Sequence, residues 1–130
     1  MCLSRPGAIL SCVALRCLIV DDNGGFRDAA RSLLEREAIE VVGVASNSAE
    51  ARSRVAELRP DVVLVDIALG TESGLELARA LASEDRAKLI LISTHLEADF
   101  ADLIAASPAV GFIAKSELSA RAVRDLVADD

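Results

Sequence analysis

Residues 59–70 read Arg59-Pro60-Asp61-Val62-Val63-Leu64-Val65-Asp66-Ile67-Ala68-Leu69-Gly70. The continuous apolar run Val62–Val65, rich in β-branched valine and bounded by Pro60 and Gly70, predicts a strand buried on both faces. Asp66 follows the run at once, so it belongs at the end of that strand, at the mouth of a sheet. Open parallel sheets bind their ligands outside the carboxyl ends of the strands. Asp66 is therefore the first candidate for chemistry.

Working outward, composition bounds what the rest can be. A chain of 130 residues makes one domain with room for a real core. Just over half of it is apolar, yet the only aromatics are three Phe, so Ala, Val, Leu and Ile must build that core. A net charge of −7 argues against the basic stripe that nucleic-acid binding needs, and no direct nucleic-acid contact is expected. Cys2, Cys12 and Cys17 show no CxxC spacing and read as reduced thiols of a cytoplasmic protein, Cys17 as a small buried side chain. No apolar run approaches the ~20 residues of a membrane span. Ile9–Leu15 after Arg5 loosely fits a signal peptide. Arg16 interrupts that run, however, and the fold needs the segment that follows. Residues 1–14 are read as an N-terminal extension and 15–130 as the domain.

In chain order, Leu15–Val20 predicts a strand delivering Asp21 and Asp22. Asn23 suits an N-cap, and Phe26, Ala29, Ala30, Leu33 and Leu34 carry a helical stripe through to Arg36. Gly24-Gly25 should weaken the first turn of that helix, and the pair lacks the spacing of a dinucleotide fingerprint. Val41–Ala45 is a second strand. Ala51, Val55 and Leu58 mark a helix that Pro60 stops, and Asp61–Asp66 is the third strand. Residues 70–74 read as a loop before a helix carrying Leu75, Ala78, Leu81 and Ala82. Leu89–Ile92 is a fourth strand ending in Ser93-Thr94, and Leu96–Ala106 a helix blocked by Pro108. Val110–Ala114 is a fifth strand ending in Lys115, and Glu117–Val127 a closing helix. Strict alternation with short connections implies a doubly wound α/β domain, a five-stranded parallel sheet flanked by five helices in the flavodoxin-like manner.

The strand ends then share one edge: Asp21 and Asp22, Asp66, Ser93 and Lys115. Three carboxylates in one pocket repel unless a cation joins them. An all-oxygen set with room for water suits Mg²⁺. A nearby ammonium and hydroxyl could bind phosphoryl oxygens, and an aspartate nucleophile on phosphorus is a known form of covalent catalysis.

From Leu15 to the C-terminus the chain resembles the receiver domain of two-component response regulators, with its CheY-like fold. Asp22 and Asp66 stand 44 positions apart and Ser93 and Lys115 22 apart. Both intervals, the Arg-Pro-Asp-Val-Val-Leu-Val-Asp run and Gly74 match that family's style. The resemblance implies that Asp66 accepts a phosphoryl group from phosphohistidine on a sensor histidine kinase or phosphotransfer protein. It implies Mg²⁺ on Asp22, Asp66 and the main-chain carbonyl of Ala68, with Asp21 supporting through water. Ser93 would hydrogen-bond the phosphoryl group and Lys115 ion-pair with it. Phe112 would be the aromatic switch, altering the face of the fourth helix, fifth strand and fifth helix, where a downstream protein or a second copy docks.

Departures from the family carry their own expectations. Ser116 replaces the usual Pro after the lysine, so no cis bond is expected there. The same residue resembles the branch whose receivers precede a helix-turn-helix domain, so the chain is either a stand-alone receiver or a piece of a longer DNA-binding regulator. Thr94 would narrow access to the phosphoryl group, and His95, with Ala68, occupies a position that tunes its lifetime. Ala68 cannot orient a water, which implies slow self-dephosphorylation. Two rival readings are a haloacid-dehalogenase-type phosphatase, which lacks its second acid because position 68 is Ala, and a pseudo-receiver that binds partners without phosphate. Beyond its own phosphorylation and dephosphorylation, no enzyme activity is expected.

Overall fold

The computed structural model describes residues 15–84, 86–94 and 101–128. In chain order its elements are β1 (Arg16–Val20), α1 (Gly24–Arg36), β2 (Glu40–Ala45), α2 (Ser48–Leu58), β3 (Val62–Asp66), β4 (Ala68–Leu69), β5 (Glu72–Ser73), α3 (Gly74–Glu84), β6 (Lys88–Ser93), α4 (Ala101–Ala105), β7 (Gly111–Ala114) and α5 (Ala120–Ala128). Five strands form a parallel sheet in the order β2-β1-β3-β6-β7. The order of strand addition reverses between β1 and β3, which is where doubly wound sheets open a crevice.

The central strands read as unbroken apolar runs because helices cover both of their faces. Leu18, Val20, Val63, Val65, Leu89 and Leu91 pack with α2 and α3, whereas Cys17, Ile19, Val62, Leu64, Ile90 and Ile92 pack with α1 and α5. Each large aliphatic side chain buried this way contributes about 1.5–3 kcal/mol. Asn23 caps α1 as expected, its Oδ1 accepting from the Phe26 N–H at 3.0 Å. The cap offsets the weakness of Gly24-Gly25 at the start of the helix.

The structure corrects two expectations. Residues 70–74 are not a plain loop. Ala68–Leu69 and Glu72–Ser73 form an antiparallel hairpin around Gly70-Thr71, and α3 begins directly at Gly74. Gly70 takes φ +60°, the first-position glycine of a two-residue II′-type turn. The last helix does not begin at Glu117. Lys115–Glu117 form a 3₁₀ turn, Leu118 is extended, and α5 starts at Ala120. Ser119 is the missed cap, its Oγ accepting from the Ala122 N–H at 3.0 Å. No peptide bond is cis among the described residues. Readings that fall on residues 1–14 and on His95 to Phe100 lie outside the described residues.

Candidate functional site

Register brings the site together. Asp66, the last residue of β3, pairs with Ile92 of β6, and Ser93 stands one step beyond. Ser93 in turn pairs with Ala114 of β7, and Lys115 stands one step beyond that. Asp21 continues β1, its N–H donating to the Ala45 carbonyl at 3.0 Å. Each predicted site residue among these thus leaves the sheet at the same edge.

Asp21 is fully buried, Asp66 and Ser93 are buried, and Asp22 is exposed at the rim. One ligand oxygen from each of Asp21, Asp22 and Asp66 lies within 4.8 Å of the others. Lys115 Nζ sits 2.6 Å from Asp21 Oδ2 and 3.0 Å from Asp66 Oδ2. The contact with Asp66 is a hydrogen bond, whereas that with Asp21 Oδ2 is a close ion contact without hydrogen-bond geometry. The Asp21 and Asp66 carboxylates thus share one ammonium, and Asp22 brings a third carboxylate within reach of the same point. That is an all-oxygen, charge-deficient donor set, and it fits a hard divalent cation.

The electrostatics follow from burial. Desolvation pushes the Asp66 carboxyl above the ordinary carboxylate range, and the Asp21 charge adds to it. Lys115 and the Ala68 N–H, donating to Asp66 Oδ1 at 3.1 Å, pull the other way. Burial works against the Lys115 ammonium, but the Asp21 and Asp66 carboxylates outweigh it and hold its pKa above the usual lysine value.

Other predicted positions lie where the fold can use them. Ala68 opens the β4–β5 hairpin, two residues past Asp66, and is exposed; Thr94 is exposed just past β6. Phe112 on β7 is half-buried against the α2/α3 face of the core.

Sequence reasoning did not reach the physical role of three residues. Gly74 is one: a Cβ there would lie 1.8 Å from the Asp66 carbonyl oxygen, so only glycine lets α3 start against the backbone of Asp66. Gly70 is another, its φ of +60° favouring glycine at the hairpin turn beside Asp22. Phe26 is the third. It falls on the apolar stripe of α1, yet its ring centroid lies 4.6 Å from Lys115 Nζ. Nothing in periodicity separates such a ring from an ordinary core phenylalanine.

Comparison with known proteins agrees with this geometry. The sequence profile of the response regulator receiver domain matches residues 17–127. A protein-glutamate methylesterase/protein-glutamine glutaminase 2 of Koribacter versatilis is 30% identical over 119 residues, 89% of this chain and 33% of that protein. A Pseudomonas aeruginosa protein described as a presumed transcriptional regulator is 35% identical over 103 residues, 78% of this chain and 50% of its own length. The chain thus spans a third to a half of these relatives. Among solved structures, a LuxR-family two-component response regulator from Aurantimonas sp. SI85-9A1 superposes with a TM-score of 0.81 at 28% identity, covering 90% of this chain and 87% of that one. The response regulator domain of Thermotoga maritima CheB gives 0.76 at 25% identity, covering 90% and 96%. With the family profile covering residues 17–127 and the doubly wound sheet shared with these solved structures, this chain belongs to the response regulator receiver domains of two-component signalling.

Proposed function

We propose that Asp66 accepts a phosphoryl group from a phosphohistidine of a sensor kinase or phosphotransfer protein. Mg²⁺ would be held by Asp21, Asp22, Asp66 and the main-chain carbonyl of Ala68, and it would supply charge neutralisation at the phosphoryl oxygens. The observation that carries this reading is the Asp66 carboxylate itself. It is buried at a strand end and held between Lys115 Nζ and the Ala68 N–H, with two more carboxylates alongside.

In the transfer step an Asp66 oxygen forms the new O–P bond as the N–P bond to the donor imidazole breaks. The imidazole leaves with that bonding pair. Lys115 is positioned to pair with a phosphoryl oxygen, and the Ser93 hydroxyl to donate to another. No second acid stands two residues on, where Ala68 is, so steady hydrolysis of outside substrates is not part of the proposal. The output is a change in the face built from α4, β7 and α5, where Phe112 is half-buried and Leu103 exposed. A downstream protein or a second copy of this chain reads that face, in the cytoplasm. Among the described residues no helix is long and apolar enough to cross a membrane.

The test is intact mass after incubation with Mg²⁺ and acetyl phosphate, wild type beside Asp66→Ala. A gain of one phosphoryl group, lost in the variant, is the expected result. No gain in a folded wild-type protein would overturn the proposal in favour of a phosphorylation-independent interaction module.

A further inference from the structure

Phosphoryl transfer needs the Lys115 ammonium held at the carboxylates, on a side chain with four rotatable bonds that water would otherwise draw outward. The first turn of α1 is built to prevent this. The Asn23 N–H donates to Asp21 Oδ1 at 2.8 Å, and Arg27 NH1 donates to the Asp21 carbonyl at 2.6 Å. The Arg27 N–H closes the turn on the Asn23 carbonyl at 3.0 Å, and Asn23 Oδ1 receives the Phe26 N–H. These bonds fix the turn to Asp21 on both sides of Phe26. The Phe26 ring, half-buried on the α1/α5 face of the core, lies 4.6 Å from the same ammonium that contacts Asp21 and Asp66. Lys115 is thereby held by two carboxylates and an aromatic face, an arrangement that attracts a cation by the ring quadrupole.

We infer that Phe26 is a positioning residue for Lys115: its ring clamps the ammonium over Asp66 and so sets the rate at which Asp66 is phosphorylated. The inference rests on the phosphoacceptor reading for its effect on rate, but the clamp itself can be seen without phosphate.

The chain has only two lysines, Lys88 and Lys115, so lysine labelled with ¹³C at Cε gives two resolvable signals. In wild type the Lys115 Hε protons should be shifted upfield by the ring current. That shift should vanish in Phe26→Leu, which keeps an apolar side chain, and persist in Phe26→Tyr, which keeps the ring. Phosphorylation by acetyl phosphate should slow about five- to thirtyfold in Phe26→Leu, the range a partly buried cation–π contact implies. In Phe26→Tyr it should return to within about twofold of wild type.

An unshifted Lys115 signal in wild type would overturn the clamp. So would a Phe26→Leu rate equal to wild type, or a folded Phe26→Tyr as slow as Phe26→Leu. A wild type that shows the shift but takes no phosphate would overturn the rate-setting role through failure of the phosphoacceptor reading, while leaving the contact demonstrated.

Discussion

Asp66 concentrates the strain of the site. Its carboxyl pKa lies above the usual value because burial, and then the Asp21 charge, disfavour the ionised form. A carboxyl raised on folding binds protons in the native state that the unfolded chain has already released. Without metal, stability must therefore fall as pH rises from the ordinary carboxylate value through the raised one. Asp66→Asn removes that burden, so in EDTA near neutral pH its urea midpoint should exceed that of wild type; an equal or lower midpoint would contradict this account. The proposed Mg²⁺ site needs the ionised form, so a rise in Tm on adding Mg²⁺ is expected and should shrink between about pH 8 and about pH 5. A Tm increment that grows on acidification would refute the assignment of Asp66 as a ligand. Ala68, exposed beside Asp66, offers no group to orient a water. A phosphoryl half-life of minutes or longer is expected by mass spectrometry, and one of a few seconds would contradict the expectation. Asp66 itself was legible from its place after an apolar run. Gly74 was legible only as a family likeness, since its reason is a close approach between two backbones. Gly74→Ala should cost about 1–3 kcal/mol in urea unfolding as the Asp66 backbone is pushed aside, and a cost below about 0.5 kcal/mol would show that α3 yields instead.

At the scale of elements, the strands and most helices were legible because burial on both faces leaves continuous apolar runs, and helix stripes are periodic. The hairpin β4–β5 was not, because two-residue strands carry no periodic signal and only the φ of Gly70 marks the turn. The start of α5 was misjudged because Glu117 and Leu118 continue a helical pattern that the 3₁₀ turn interrupts. Helix ends hold a further lesson at α1. The Ile39 N–H bonds to the Leu34 carbonyl at 3.0 Å and the Ala38 N–H to the Glu35 carbonyl at 3.3 Å, a Schellman ending. The left-handed position of that ending is taken by exposed Ala38 at φ 71°, where glycine is the easier residue. Ala38→Gly should stabilise the domain by about 0.5–1 kcal/mol in urea, leaving phosphorylation unchanged. Destabilisation by the same amount would mean that the unfolded-state entropy of glycine dominates.

For the whole molecule, two apolar layers on one sheet leave the acidic residues and Lys115 at the carboxyl ends of the strands, where the strand order reverses, and that edge gathers residues from positions 21 to 115. Fold and edge were both readable from the alternation of strands with helices and from the residues at the strand ends. The clamp of Phe26 on Lys115 was not, because it joins the start of α1 to the end of β7, and only three-dimensional closure brings those together. Cys17 reports on how firmly the layers hold. It is fully buried and its thiol pKa is pushed up to about 12 by desolvation. In a background with Cys2 and Cys12 replaced by serine, alkylation of the native protein should run at least about a thousandfold slower than in denaturant. A native rate within about tenfold of the unfolded one would reveal local opening at β1. The central claim, that this edge places phosphate on one particular carboxylate, is tested most directly by borohydride reduction of the phosphorylated protein followed by peptide sequencing. An acyl phosphate is reduced to the alcohol, so homoserine should appear at position 66 and nowhere else. Homoserine at position 21 or 22, or phosphate surviving reduction as an ester on Ser93, would contradict it.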